Sequence, residues 1–75
     1  MIKFTFHVVQ NYEEAGLEGV YDYRLEGSDE VFYSEESAFI KALTETLGGS
    51  DYTLLTIYQL EAECLRNNIY VEFVY

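Results

Sequence analysis

The chain lacks proline and tryptophan altogether, and it has one cysteine and one histidine among its 75 residues. Because Cys64 has no second cysteine to pair with, a disulfide within the chain is excluded. Together with His7 it also cannot supply the four protein ligands of a structural zinc site. A chain this short buries only about 60% of the surface it exposes when unfolded. Its stability must therefore come from a dense core or from a partner.

Basic residues are scarce as well, with four against 14 acidic residues and a net charge of −10. Nine of the acidic residues lie between Glu13 and Glu36 with one base, Arg24, so this segment alone carries −8. Charge of one sign at this density destabilises the compact state by self-repulsion, which indicates a surface that attracts something basic. Phosphates would be repelled, so nucleic acid and anionic lipid are not expected as direct ligands. High-salt adaptation also produces acidity, but the content of Tyr, Ile and Asn argues against it.

Long apolar runs are missing too. No stretch approaches the roughly 20 apolar residues of a membrane span, and residues 1–5 alternate like a strand instead of forming the continuous apolar run of a signal peptide. We therefore expect a cytoplasmic protein without membrane association. Hydrophobic residues nevertheless make up 49% of the chain and aromatic residues 17%, which predicts a folded domain and not a disordered acidic tail.

Period-two alternation of apolar residues marks the strands. It predicts a first strand over residues 2–10, and it returns at 20–25 after a predicted surface loop at 11–19. Residues 30–33 are apolar and aromatic, and the turn residues 26–29 before them predict a β-hairpin.

Two helices are indicated by their start signals. Ser34, followed by Glu35 and Glu36, is typical of a helix N-terminus, and apolar residues at helical spacing predict a helix over 35–47 that ends at Gly48. The next segment is ambiguous, because 52–58 could begin a strand.

Thr56 and Gln59 match a capping box, and the residues after them present one apolar helical face. We favour a second helix over 57–66, with Asn67 and Asn68 as a left-handed exit. Residues 69–75 alternate again and predict the last strand.

The predicted order is β-β-β-α-α-β, a single α+β domain over residues 1–75. We expect an antiparallel-rich four-stranded sheet with both helices on one face. The first and last strands are the most apolar, so we expect them near the centre of the sheet as neighbours, with the hairpin towards an edge.

Candidate catalytic chemistry is weak. His7 lies in a predicted strand without a nearby nucleophile, and Cys64 lies on an apolar helix face in an acidic chain, where a thiol is not activated. Adjacent carboxylates diverge on a strand or a helix, so none of the acidic pairs predicts a metal site. No phosphate-binding glycine loop is present. We expect a protein without enzymatic activity, metal or cofactor.

Four tyrosines, Tyr12, Tyr21, Tyr23 and Tyr33, are interleaved with the acidic segment, and tyrosine is enriched at protein interfaces. Carboxylates and tyrosine rings together suit contacts with lysine- and arginine-rich surfaces. Alternatively, the rings complete the two faces of a small sheet. The predicted partner-binding residues are Glu13, Glu14, Glu18, Tyr21, Asp22, Tyr23, Glu26, Asp29, Glu30, Tyr33, Glu35 and Glu36, with the tyrosines as anchors if exposed.

In general character the chain resembles the small acidic proteins that phages and mobile elements use against host defences. These include anti-CRISPR proteins, anti-restriction proteins and uracil-DNA glycosylase inhibitors. The resemblance rests on short length, strong negative charge and aromatic content, and no aligned motif carries it. It implies nucleic-acid mimicry in the host cytoplasm, where the carboxylates would occupy the basic site of a nucleic-acid-binding protein. The alternative is a homodimeric structural or adaptor module, joined through 69–75 or exposed tyrosines, whose acidity serves only solubility.

Overall fold

A computed structural model describes residues 1–10, 21–49 and 51–75. Its elements are β1 (Ile2–Gln10), β2 (Tyr21–Leu25), β3 (Val31–Phe32), α1 (Glu35–Leu47), a 3₁₀ helix (Tyr52–Leu54), α2 (Ile57–Arg66) and β4 (Ile69–Val74). The predicted α+β class and element order are confirmed. β2 covers the described part of the strand predicted at 20–25, whereas β3 is shorter than the predicted 30–33. The predicted loop at 11–19 lies outside the described residues.

The strands form one sheet in the order β3-β2-β1-β4. β1 pairs antiparallel with β2 and parallel with β4, and β2 pairs antiparallel with β3, so the sheet is mixed. The prediction that the first and last strands are neighbours is confirmed. The prediction that both lie near the centre is wrong for β4, which lies at an edge of the described sheet. The β2-β3 hairpin pairs with one side of β1, and β4 pairs with the other side, which makes β4 the edge strand.

Both helices pack on one face of the sheet, as predicted. Phe6 in β1 is fully buried, with its ring centroid 5.9 Å from that of Phe32 and 6.0 Å from that of Phe73. Ala38 and Ala42 of α1 have no exposed surface, and they belong to the two buried clusters that join α1 to the sheet. Their small side chains allow the helix to approach the aromatic layer closely.

Capping interactions fix both ends of α1. The hydroxyl oxygen of Ser34 accepts a hydrogen bond of 3.1 Å from the backbone N–H of Ser37. At the other end, the N–H of Gly48 donates to the carbonyl of Thr44 at 2.9 Å, and Gly48 has a φ of 65°. A residue with a Cβ is strained there, which explains why the helix ends at glycine.

The capping box that the sequence indicated is present at the start of α2. The N–H of Gln59 donates to the Thr56 hydroxyl at 3.3 Å, and the N–H of Thr56 donates to the Gln59 side-chain oxygen at 2.9 Å. This decides the ambiguous segment in favour of a helix, preceded by the 3₁₀ turn at Tyr52–Leu54. The exit at Asn68 is left-handed, with φ of 61°, as predicted.

Two leucines of α2 provide a matched test of the core. Leu60 is fully buried, whereas Leu65 is 77% exposed on the same helix. Leu60→Ala should lower the free energy of unfolding by about 2–5 kcal/mol, because it removes apolar contacts and leaves a cavity. Leu65→Ala makes the same change in helix propensity and should stay within about 0.5 kcal/mol of the wild type. Urea denaturation monitored by circular dichroism measures both, and equal losses would contradict the packing described for α2.

Two threonines, one in the capping box and one within a helix, should respond differently to replacement by alanine. Thr56→Ala removes the acceptor for the N–H of Gln59 and should cost about 1 kcal/mol of stability. Thr44 is exposed within α1, where alanine is the better helix former, so Thr44→Ala should be neutral or slightly stabilising. Thermal unfolding of the two variants checks this, and an unchanged melting temperature for Thr56→Ala would show that the cap contributes nothing.

Candidate partner-binding surface

The predicted partner-binding residues divide into separate groups in the structure. Glu13, Glu14 and Glu18 lie outside the described residues. The alternation of β2 then places Tyr21 and Tyr23 on the helix-covered face and Asp22 on the opposite face.

Tyr23 is part of the core and is only 8% exposed. Its ring packs edge-on against that of Phe73, with the two centroids 5.6 Å apart. Burial raises the pKa of its hydroxyl, and the nearby carboxylate of Glu35 raises it further. Tyr21 is half-buried against the same cluster. The tyrosines were predicted to anchor a partner only if exposed, and Tyr23 is not exposed. The rings of Tyr21 and Tyr23 instead complete the helix-covered face of the sheet.

The opposite face of the sheet pairs its acids with bases. Arg24 Nη2 lies 3.8 Å from Asp22 Oδ2, whose side chain is almost buried. Across the sheet, Lys3 Nζ lies 3.3 Å from Glu72 Oε1. This face therefore presents mixed charge, and Asp22 is removed from the set of exposed carboxylates.

A second group, which we call the acidic ridge, consists of Glu26, Asp29, Glu30, Tyr33 and Glu36. All five side chains are exposed, on the turn between β2 and β3, at the end of β3 and in the first turn of α1. Tyr33 is 67% exposed and is the predicted anchor that remains available.

Among the residues that the structure describes, two of the ridge carboxylates have a basic partner and two do not. Glu26 Oε1 lies 3.2 Å from His7 Nε2, and Glu30 Oε1 lies 3.0 Å from Lys41 Nζ. The Lys41 ammonium donates hydrogen bonds to Glu45 and to Glu30. These bonds, the one to Glu45 most of all, raise the pKa of Lys41. Within the described part of the chain, no base lies within ion-pair distance of Asp29 or Glu36.

Glu35 is separated from Glu36 although the two are adjacent in sequence, because neighbouring helical residues diverge by about 100°. It is half-buried and lines a groove of about 330 Å³ between α1, α2 and β4, which we call the β4 groove. Glu61 of α2 lines the same groove, and neither carboxylate has a base within ion-pair distance among the described residues.

The β4 groove was not predicted from the sequence. Its acidic residues are 26 positions apart and come together only when the two helices pack. The available signals were the spacing of Glu61 and Leu65 by one helical turn and the apolar alternation of β4, but neither indicates which helix faces which strand.

No group of three or more histidine, cysteine, aspartate or glutamate side chains in the described ranges is arranged to hold a metal ion. None of the helices described is both long and apolar enough to cross a membrane. His7 is exposed on the open face of the sheet.

Comparison with protein-family profiles, with characterised protein sequences and with solved structures finds no match to this chain. Its function must therefore be argued from the charges and surfaces described above.

Cys64 is buried, as predicted, at 2% exposure. Burial, together with the carboxylates of Glu63 and Glu61, raises the pKa of its thiol from 9.0 to about 11. The reactive thiolate is thus disfavoured by both solvent exclusion and negative charge.

We expect iodoacetamide near pH 8 to alkylate Cys64 in the folded protein at least about a hundredfold more slowly than in the urea-denatured chain. Two units of pKa alone lower the thiolate fraction by that factor. Mass spectrometry of timed samples gives both rates. Comparable rates in the two states would show that the thiol is accessible and activated.

Proposed function

We propose that this protein is a small acidic inhibitor that binds a nucleic-acid-binding protein, such as a CRISPR effector or a nuclease, by occupying its basic site. It would act in the cytoplasm of the cell that contains this target. The observation that carries the proposal is the acidic ridge, where exposed carboxylates lie on a hairpin turn and a helix start. Two of them, Asp29 and Glu36, have no ion-pair partner among the described residues.

The nearby bases do not neutralise the ridge. The Lys41 side chain is only 17% exposed and is shared between Glu30 and Glu45, so it presents little positive charge to a partner. Nε2 of His7 lies 3.2 Å from Oε1 of Glu26. The ridge therefore keeps a net negative potential, and at physiological ionic strength this potential extends about 8 Å into the solvent.

Asp29 and Glu36 fall within the length of one turn of duplex DNA. Asp29 and Glu36 are seven residues apart, so they are separated by no more than about 25 Å, less than the roughly 34 Å of one turn of duplex DNA. A channel that binds phosphates through lysine and arginine would also bind carboxylates held at such spacings by a fold. Association would be fast and sensitive to salt.

Tyr33 adds an anchor beside this charge. A tyrosine that is two-thirds exposed can place its ring over an arginine or lysine of the partner, and such rings are frequent among the residues that dominate binding energy.

The test uses two double variants with the same net charge. Asp29→Lys with Glu36→Lys reverses two ridge carboxylates that have no ion pair among the described residues. Glu63→Lys with Glu72→Lys is the control, because it reverses two carboxylates whose bases, Arg66 and Lys3, do not pair with the ridge. Each protein is immobilised and exposed to a bacterial lysate, and the captured proteins are eluted first with duplex DNA and then with salt. We expect the ridge variant to retain about a tenth or less of the DNA-displaceable protein that the wild type captures. The control variant should retain more than half of it.

Circular dichroism and urea unfolding of both variants establish that they remain folded. If the two variants retain the same DNA-displaceable proteins in equal amounts, the ridge is not the binding surface. If duplex DNA displaces nothing from the wild-type protein while salt does, the target site is not one for duplex DNA, and single-stranded DNA and RNA are then used as competitors. Failure of all three nucleic acids to displace any protein would overturn mimicry.

A further inference from the structure

We propose that the β4 groove binds an extended segment of a partner protein, which adds a strand to the outer edge of β4 and places an arginine between Glu35 and Glu61. This goes beyond the proposed inhibition, because it uses a different surface from the acidic ridge and a different mode of recognition.

The first observation is the edge itself. In the described sheet, β4 has β1 on one side and no strand on the other. The backbone N–H of Ile2 donates to the carbonyl of Asn68 at 3.1 Å, and β1 and β4 are parallel, so alternate residues of β4 direct their backbone groups towards β1. Ile69, Val71 and Phe73 are the intervening residues, and their backbone groups point away from β1. An extended peptide can pair with that row of groups.

The second observation is the chemistry of the groove beside this edge. Its apolar surface comes from Phe39 of α1, Leu65 of α2, and Val71 and Phe73 of β4. An added strand would direct every second side chain into this space, with about 6.7 Å between successive groove-facing residues. The volume of about 330 Å³ is enough for a few side chains.

The third observation selects the charge of the occupant. Glu35 and Glu61 line the apolar groove, and no base of the described chain lies within ion-pair distance of either. Glu35 is half-buried whereas Glu61 is exposed. A partly desolvated carboxylate such as Glu35 gains more from a guanidinium than one in open water, because the dielectric is lower and the hydrogen bonds are charge-assisted. The fitting segment therefore has an apolar residue, an arginine and a second apolar residue at alternate positions.

A second copy of the chain fits this groove poorly. Each copy carries a net charge of −10, and the strand that it would contribute, residues 69–75, contains Glu72 and no base. Pairing of two β4 edges would thus leave Glu35 and Glu61 without cations while bringing like charges together, which is unfavourable. Charge complementarity favours a partner of opposite sign.

The experiment uses the synthetic peptide acetyl-Thr-Val-Ser-Arg-Thr-Val-Thr-amide, in which Val, Arg and Val share one face of a strand. Titration into the isotope-labelled protein, followed by the NMR shifts of backbone amides, locates the contact. We expect the largest shifts at the amides of Val71, Phe73 and Leu65, and little change at Asp29 and Glu36. The same peptide with N-methylated backbone nitrogens should lose binding, because it can no longer donate to the edge of β4.

Two variants that each remove two negative charges separate the groove from general attraction of a cationic peptide. Glu35→Gln with Glu61→Gln should weaken peptide binding by about tenfold, while Asp29→Gln with Glu36→Gln should change it by less than about twofold. Circular dichroism establishes that both are folded.

Equal weakening by the two variants, shifts centred on the acidic ridge, or undiminished binding of the N-methylated peptide would each overturn the proposal. So would light scattering that shows a dimer, if dilution to the monomer shifts the backbone amides of Val71 and Phe73. Because the peptide assay involves no nucleic acid and no lysate, its failure leaves the proposed inhibition untouched, and loss of DNA-displaceable binding by the ridge variant leaves the groove untouched.

Discussion

Burial of the Phe6 ring is the interaction on which the remaining architecture depends. The ring lies at the middle of β1, is fully excluded from solvent, and meets aromatic rings from β3 on one side and β4 on the other. The same cluster includes Ala38 of α1, so three strands and a helix converge on one side chain. In a domain of this size, where no disulfide can form within the chain, the aromatic layer has to supply cohesion that larger proteins distribute over several clusters.

Charge repulsion is the opposing constraint, and the placement of the four bases shows how the fold manages it. Lys3, Arg24, Lys41 and Arg66 each lie beside a carboxylate of their own chain. Each pair has at least one well-exposed partner, and ion pairs open to solvent contribute little individually to stability. Their consequence is spatial, because they leave the excess negative charge at the ridge and at the rim of the β4 groove. The surfaces proposed to bind partners are therefore those that the bases of the described chain leave uncompensated.

Local signals made the helices predictable, whereas the positions of the strands in the sheet depend on long-range pairing and were not fully predictable. Ser34, Gly48 and the Thr56–Gln59 capping box act within a few residues, so the bounds of α1 and α2 could be predicted from the sequence. β4 is an edge strand because the β2-β3 hairpin pairs with the other side of β1. The apolar pattern of β4 contains no information about that pairing. In the same way, alternation in β2 predicted that Tyr21 and Tyr23 share a face but not that the helices cover it, and so Tyr33 alone among the three described tyrosines of the predicted set remains well exposed.

The parallel register of β1 and β4 also has a consequence for how the chain reaches its folded state. Ile2 pairs with Ile69, so this half of the sheet forms only after a loop of nearly the whole described chain has closed. Closing such a loop costs on the order of 4 kcal/mol of chain entropy before any contact repays it. During synthesis on the ribosome, β1 emerges first and can pair with β2, but its other edge stays bare until β4 leaves the exit tunnel. The sheet is thus complete only when the last strand is available. Until then the unpaired edge of β1 can pair with a wrong strand.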